Sequence, residues 1–134
     1  MTEPLLVRSD GVNFPAVRVW AEQACRACVL APDASAVDAV ALALHETVRN
    51  VVEHAYEGTS GAIELRAEPR GRRLVLSVVH DGPPFDRAAV CAPSFDGSRE
   101  NGFGLFLVER AVDSVEYGRT PDGRGLVRLE KQLS

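Results

Sequence analysis

Between Asp33 and Ala55 apolar residues recur with the period of an α-helix, and this stretch limits the possible fold more than any other. Val37, Val40, Ala41, Leu44, Val48, Val51, Val52 and Ala55 fall at spacings of three and four, so they line one stripe. Such a stripe needs a second layer to bury it. Asp33 or Ser35 can cap the start of this helix, and Gly58 follows its end. Past Gly61 the period changes to two, with Ile63, Leu65 and Ala67 alternating with Glu64, Arg66 and Glu68. A turn at Arg70-Gly71-Arg72 leads into Leu74 to Val79, which reads as a more buried strand. One helix layer and one sheet layer are thus predicted from the middle of the chain alone.

The flanks extend this pattern. Leu5 to Arg8 suits a short edge strand. Asp10 or Asn13 can cap a helix with Pro15 in its first turn, running to about Leu30 before Pro32 stops it. Residues 81–101 are rich in Gly, Pro, Ser and Asp and carry too little periodicity for a regular element, and a loop of that length in a compact domain is often functional. Gly102 and Gly104 open a last helix through about Val112, with Leu105, Val108 and Val112 on one face. Val115 to Gly118 and Leu126 to Gln132 form a second hairpin around Pro121-Asp122-Gly123. The order β-α-α-β-β-loop-α-β-β predicts an α/β (α+β) two-layer sandwich. Its helices lie on one face of a mixed, mainly antiparallel sheet, in one domain spanning residues 1–134.

Composition narrows the function classes. A net charge of −4 over 134 residues argues against a nucleic-acid partner. No apolar run approaches the roughly 20 residues of a membrane span. The N-terminus lacks the basic and then apolar layout of a signal peptide, so a soluble cytoplasmic protein is expected. The 3 cysteines make no disulfide framework. Cys25 and Cys28 spell C-x-x-C, but within a predicted helix and without further ligands, so they read as small residues packing that helix. Cys91 reads as an incidental loop residue.

Three segments carry chemistry. Glu46, Asn50 and His54 are spaced by four and form a strip that the pattern places roughly opposite the apolar stripe, with Glu53 at its border. An amide oxygen suits Mg²⁺, and a carboxylate one turn earlier can act on a hydroxyl or a water. Many solvent-facing helices show such a strip. His80-Asp81-Gly82-Pro83-Pro84-Phe85-Asp86 follows a buried strand, and Gly82 lets the backbone approach a flat ligand, although a plain strand-ending turn reads the same way. Asn101-Gly102-Phe103-Gly104-Leu105-Phe106-Leu107 opens a helix, where free N–H groups and the helix dipole attract phosphate. It is neither a Walker A loop nor a full dinucleotide fingerprint. Each segment alone is weak.

In this chain order the three together resemble the ATP site of the GHKL superfamily, and in particular the anti-sigma-factor serine/threonine kinases. Glu46 to Tyr56, with its His-Ala-Tyr ending, looks like that family's N-box, His80 to Asp86 like its G1 box and Gly102 to Leu107 like its G2 box. The similarity runs from the first helix to the last strand. It implies a histidine-kinase-like ATPase fold that binds ATP and Mg²⁺ and phosphorylates a serine on an anti-anti-sigma (STAS) partner in bacterial partner switching. Asn50 would hold the metal, and Glu46 would be the general base. His54, His80, Asp81, Gly82, Pro84, Phe85, Gly102, Phe103, Gly104 and Leu105 would contact the nucleotide. Residues from about Phe85 to Asn101 would form an ATP lid, with Arg99 near its end either reaching a phosphate or, as loop arginines more often do, simply solvated. A sigma factor is a further implied partner, and a homodimer the implied assembly.

The match departs from the family at two positions. The G1 box normally carries Asp two residues before its Gly, where the carboxylate accepts from the adenine amino group; here that position holds His80, and Asp81 is one residue out of phase. Glu53 adds a carboxylate where many relatives have a basic or neutral side chain. Both departures motivate an alternative reading: a catalytically weak or inactive module that sequesters a sigma factor or regulator.

Overall fold

The computed structural model describes residues 2–56, 60–81 and 100–134, with residues 55 and 100–105 described by backbone alone. A short strand, β1 (Leu5–Arg8), precedes helices α1 (Phe14–Cys28) and α2 (Ala34–Asn50). A π-helical turn, Val51–Tyr56, continues α2. Strands β2 (Ala62–Arg70) and β3 (Arg73–His80) make the first hairpin. Helix α3 (Glu100–Ala111) and the hairpin of β4 (Ser114–Arg119) and β5 (Gly125–Gln132) complete the chain. The strands form one sheet in the order β1-β2-β3-β5-β4. Every described pairing is antiparallel, which narrows the mixed sheet expected from the sequence.

Local chemistry accounts for the element boundaries. Asn13 caps α1, its Oδ1 accepting from the Ala16 N–H at 3.1 Å, and Pro15 sits where no N–H is needed. Asp33 occupies the N-cap of α2 without a side-chain capping bond. Its carboxylate still lies beside the positive end of the helix dipole. Gly71 takes φ +64° in the two-residue turn between Arg70 and Arg73, a conformation glycine adopts without steric cost. Gly123 does the same in the last hairpin, at φ +87°.

The core lies between the helices and one sheet face. Val17, Trp20, Ala21, Ala24 and Cys25 from α1 meet Val40, Ala41, Leu44 and Val48 from α2, over Ile63, Leu65, Leu74, Leu76, Val78, Val127 and Leu129 of the sheet. Cys25 is buried there, and Cys28 is partly buried against this cluster, as the helix-packing reading requires. Val108 and Val112 anchor α3. Burying each large aliphatic side chain contributes about 1.5–3 kcal/mol. The termini are tied in as well. Trp20 Nε1 donates to the Glu3 carbonyl at 2.7 Å, and the Leu133 N–H donates to the Arg72 carbonyl at 2.9 Å.

Two expectations change. The second helix was expected to run as one α-helix to Ala55, but its last turn is π-helical, which alters the phase of the side chains beyond Asn50. The final helix, expected to open at Gly102, begins earlier, at Glu100, so Gly102 and Gly104 lie within its opening turns. Gly58, Gly82, Pro84, Phe85, Cys91, Arg99 and most of the expected lid fall outside the described residues.

Candidate functional site

The polar strip of α2 is not on the solvent side. Asn50 is 2% exposed, and the Glu46 side chain is 13% exposed. The outward side is carried instead by Leu42, His45 and Glu53, all exposed. The cause is the position of α2, which packs against both α1 and α3 and so buries a wider arc than one apolar stripe. Glu53 therefore sits on the solvated side of the helix end.

Burial leaves an unusual set of polar atoms. Both amide atoms of Asn50 and the Thr47 hydroxyl lack a hydrogen-bond partner among the described residues. Such an unpaired group costs about 1–3 kcal/mol in a folded interior, so native chains seldom keep several of them without a use. Glu46 pairs with Arg49 at 3.2 Å, but the contact lacks hydrogen-bond alignment, and Arg49 is the more exposed partner. A carboxylate and an amide one turn apart, with a hydroxyl beside them, thus line a buried face of α2. That is a hard-oxygen donor set of the type Mg²⁺ takes. Thr47 was not singled out from the sequence, although a hydroxyl inside an apolar stripe is a legible signal.

His80 ends β3, the central strand. It shares the helix-facing side with Leu74, Leu76 and Val78, whereas Asp81 is exposed just beyond the strand. His80, not Asp81, therefore holds the buried position. It is 1% exposed, and neither ring nitrogen has a hydrogen-bond partner among the described residues. Burial pushes its pKa below the ordinary 6.5, against a smaller opposing effect of Asp81. The neutral ring can offer one acceptor and one donor, where a carboxylate offers only acceptors. Its neighbour across the ladder is Gly125, where any Cβ would overlap the imidazole.

Tyr56 joins the two halves of the site. Its ring meets His80 edge-on, with centroids 6.2 Å apart. Its hydroxyl donates to the Ala62 carbonyl at 2.6 Å and accepts from the Asp81 N–H at 2.9 Å. Gly61 leaves room for the ring, since a Cβ there would overlap it. Neither Gly61 nor Gly125 was expected at the site, because their roles come from contacts distant in sequence. His54 is half-buried on the π turn. Gly102, Phe103, Gly104 and Leu105 lie in the opening turns of α3, which packs against α2. With the helix starting at Glu100, the N–H groups of residues 100–102 lack intrahelical acceptors, which include that of Gly102.

The chain thus combines a two-layer sandwich with a buried polar face on α2, the helix that packs against both α1 and α3. The chain belongs to the histidine kinase-like ATPase domain family, which matches residues 7–131. It is 27% identical over 111 residues to an anti-sigma F factor of Thermoanaerobacter sp. (strain X514), covering 80% of this chain and 78% of that protein. It is 34% identical over 84 residues to the serine-protein kinase RsbW of Staphylococcus epidermidis, covering 55% of this chain and 53% of that one. The fold is similar to the histidine kinase domain of the Erythrobacter litoralis EL346 blue-light activated histidine kinase, with a TM-score of 0.54 at 21% identity, over 74% of this chain and 45% of that one. It is also similar to the Acinetobacter baumannii histidine kinase AdeS, with a TM-score of 0.53 at 13% identity, over 100% and 69% respectively.

Proposed function

We propose that this chain is a Mg-ATP-dependent protein serine kinase of the anti-sigma-factor type, which phosphorylates an anti-anti-sigma (STAS) partner in bacterial partner switching. The observation that carries this reading is Asn50, a buried amide with both polar atoms unpaired among the described residues, one helical turn after Glu46. A bound divalent ion would satisfy the amide oxygen and neutralise phosphate charge. Glu46 would take the proton of the serine hydroxyl as its oxygen attacks the terminal phosphorus, with ADP leaving. The free N–H groups at the start of α3 would hold phosphate oxygens. The added charge of about −1.5 to −2 on the partner would break a contact by repulsion and desolvation. The names of the relatives support the partner class, and a sigma factor is the second partner they suggest. We place the protein in the cytoplasm as a homodimer.

Calorimetric titration with Mg-ATP tests the site, and transfer of radiolabelled phosphate to a STAS partner tests the chemistry. Asn50→Ala should weaken nucleotide binding at least tenfold, a change of about 1.4 kcal/mol. Glu46→Ala should abolish transfer, by about 10²–10⁴-fold for a lost general base, with little change in nucleotide affinity. Equal transfer by Glu46→Ala removes that residue from the mechanism.

His80 favours a second reading, a module that sequesters a sigma factor or regulator without transferring phosphate. A buried ring with both nitrogens unpaired among the described residues stands where the family has an acceptor-only carboxylate. On this reading the wild type ignores Mg-ATP and His80→Asp gains binding. Phosphate transfer by the wild type excludes it.

A further inference from the structure

The last rung of the β2–β3 ladder pairs Ile63 with His80, and the register would next set Ala62 opposite Asp81. That rung is interrupted by a side chain. The Tyr56 hydroxyl accepts from the Asp81 N–H at 2.9 Å and donates to the Ala62 carbonyl at 2.6 Å, the two groups a further rung would join. Tyr56 ends the π turn that continues α2, so the helix carrying Glu46 and Asn50 is bonded to the point where β3 stops pairing. The arrangement is held from both sides. Gly61 accommodates the ring, and Gly61 is itself fixed by Ser9, whose N–H donates to the Gly61 carbonyl and whose Oγ accepts from the Gly61 N–H, each at 2.9 Å. The ring also presents its edge to His80.

We infer that Tyr56 is a positioning residue for the nucleotide site: its hydroxyl holds the β2–β3 ladder open by one rung and so sets where the chain leaves β3 relative to Asn50. The inference rests on the nucleotide reading of the site and adds to it a residue that touches neither phosphate nor metal. Removing the hydroxyl while keeping the ring lets Asp81 and Ala62 bond directly, which lengthens β3 by one residue and draws the exit of the strand toward β2. A hydroxyl wedged into a ladder costs little stability to remove, because one rung replaces two bonds. Its loss should be felt in ligand geometry instead.

The test compares wild type, Tyr56→Phe and Ser9→Ala, each titrated with Mg-ATP, with amide–amide contacts between Ala62 and Asp81 followed by NMR. Ser9→Ala loosens the same corner without touching the rung. Tyr56→Phe should gain the Ala62–Asp81 amide contact and bind Mg-ATP about tenfold more weakly, the weight of one misplaced hydrogen bond, while Ser9→Ala keeps wild-type affinity. Wild-type affinity in Tyr56→Phe, or an equal loss in Ser9→Ala, overturns the positioning role and leaves the nucleotide site standing. Failure of the wild type to bind Mg-ATP overturns the site and this role together.

Discussion

His80 shows how one buried side chain can be read as a physical constraint. Its pKa is lowered in the folded chain, so the unfolded chain binds a proton more readily. The sign follows directly. Above the unfolded value of about 6.5 both states are neutral and the group costs nothing; as pH falls through that value the unfolded state gains a proton that the folded state refuses. Stability should therefore fall as pH drops below about 6.5, and His80→Gln should flatten that part of the profile. Thermal melts at several pH values check this, and a wild-type profile matched by His80→Gln would show that other groups carry the acid sensitivity. At the same scale, Asn50 could be picked from the sequence by residue type and its four-residue spacing from Glu46. Its burial could not, since that depends on how α2 is packed among elements distant in sequence.

Among the elements, the seam between β3 and β5 carries the most specific local fit. Gly125 opens β5 opposite His80, and a methyl group on it would overlap the imidazole. Gly125→Ala should cost about 1–3 kcal/mol, as overpacking in a core does. His80→Ala vacates the same space, so the double variant should be less destabilised than the two single variants combined, a coupling of about 0.5–3 kcal/mol. Urea denaturation of the four proteins measures it, and strict additivity would deny the contact. The elements themselves were legible where one period dominates: the stripe of α2, the alternation in β2 and the turn at Gly71 all stand where the pattern put them. The π turn was not legible, because Val51, Val52 and Ala55 continue the helical spacing through it. The Tyr56 bridge was hidden for another reason, since Asp81 lies 25 residues away and only strand register brings it close.

For the whole molecule, the proposed nucleotide acts as a brace between layers. Its expected contacts come from α2, from the end of β3 and from the start of α3, and α3 is joined to α2 directly but follows β3 only through residues outside those described. A ligand bound to the folded state alone stabilises it by about 2.7 kcal/mol at a hundred times its dissociation constant. For a chain of this size a change of that magnitude moves the melting temperature by roughly 5–15 °C. Mg-ATP should therefore raise the melting temperature of the wild type by such an amount. Asn50→Ala should lose most of the rise while melting near the wild-type temperature without nucleotide, because its amide already lacks partners in the described structure. If Asn50→Ala instead melts far below wild type in the absence of nucleotide, the amide has a structural partner and is not free to hold a metal ion. If it keeps the full rise, Mg-ATP is held elsewhere, and the buried face of α2 loses its claim to be the site.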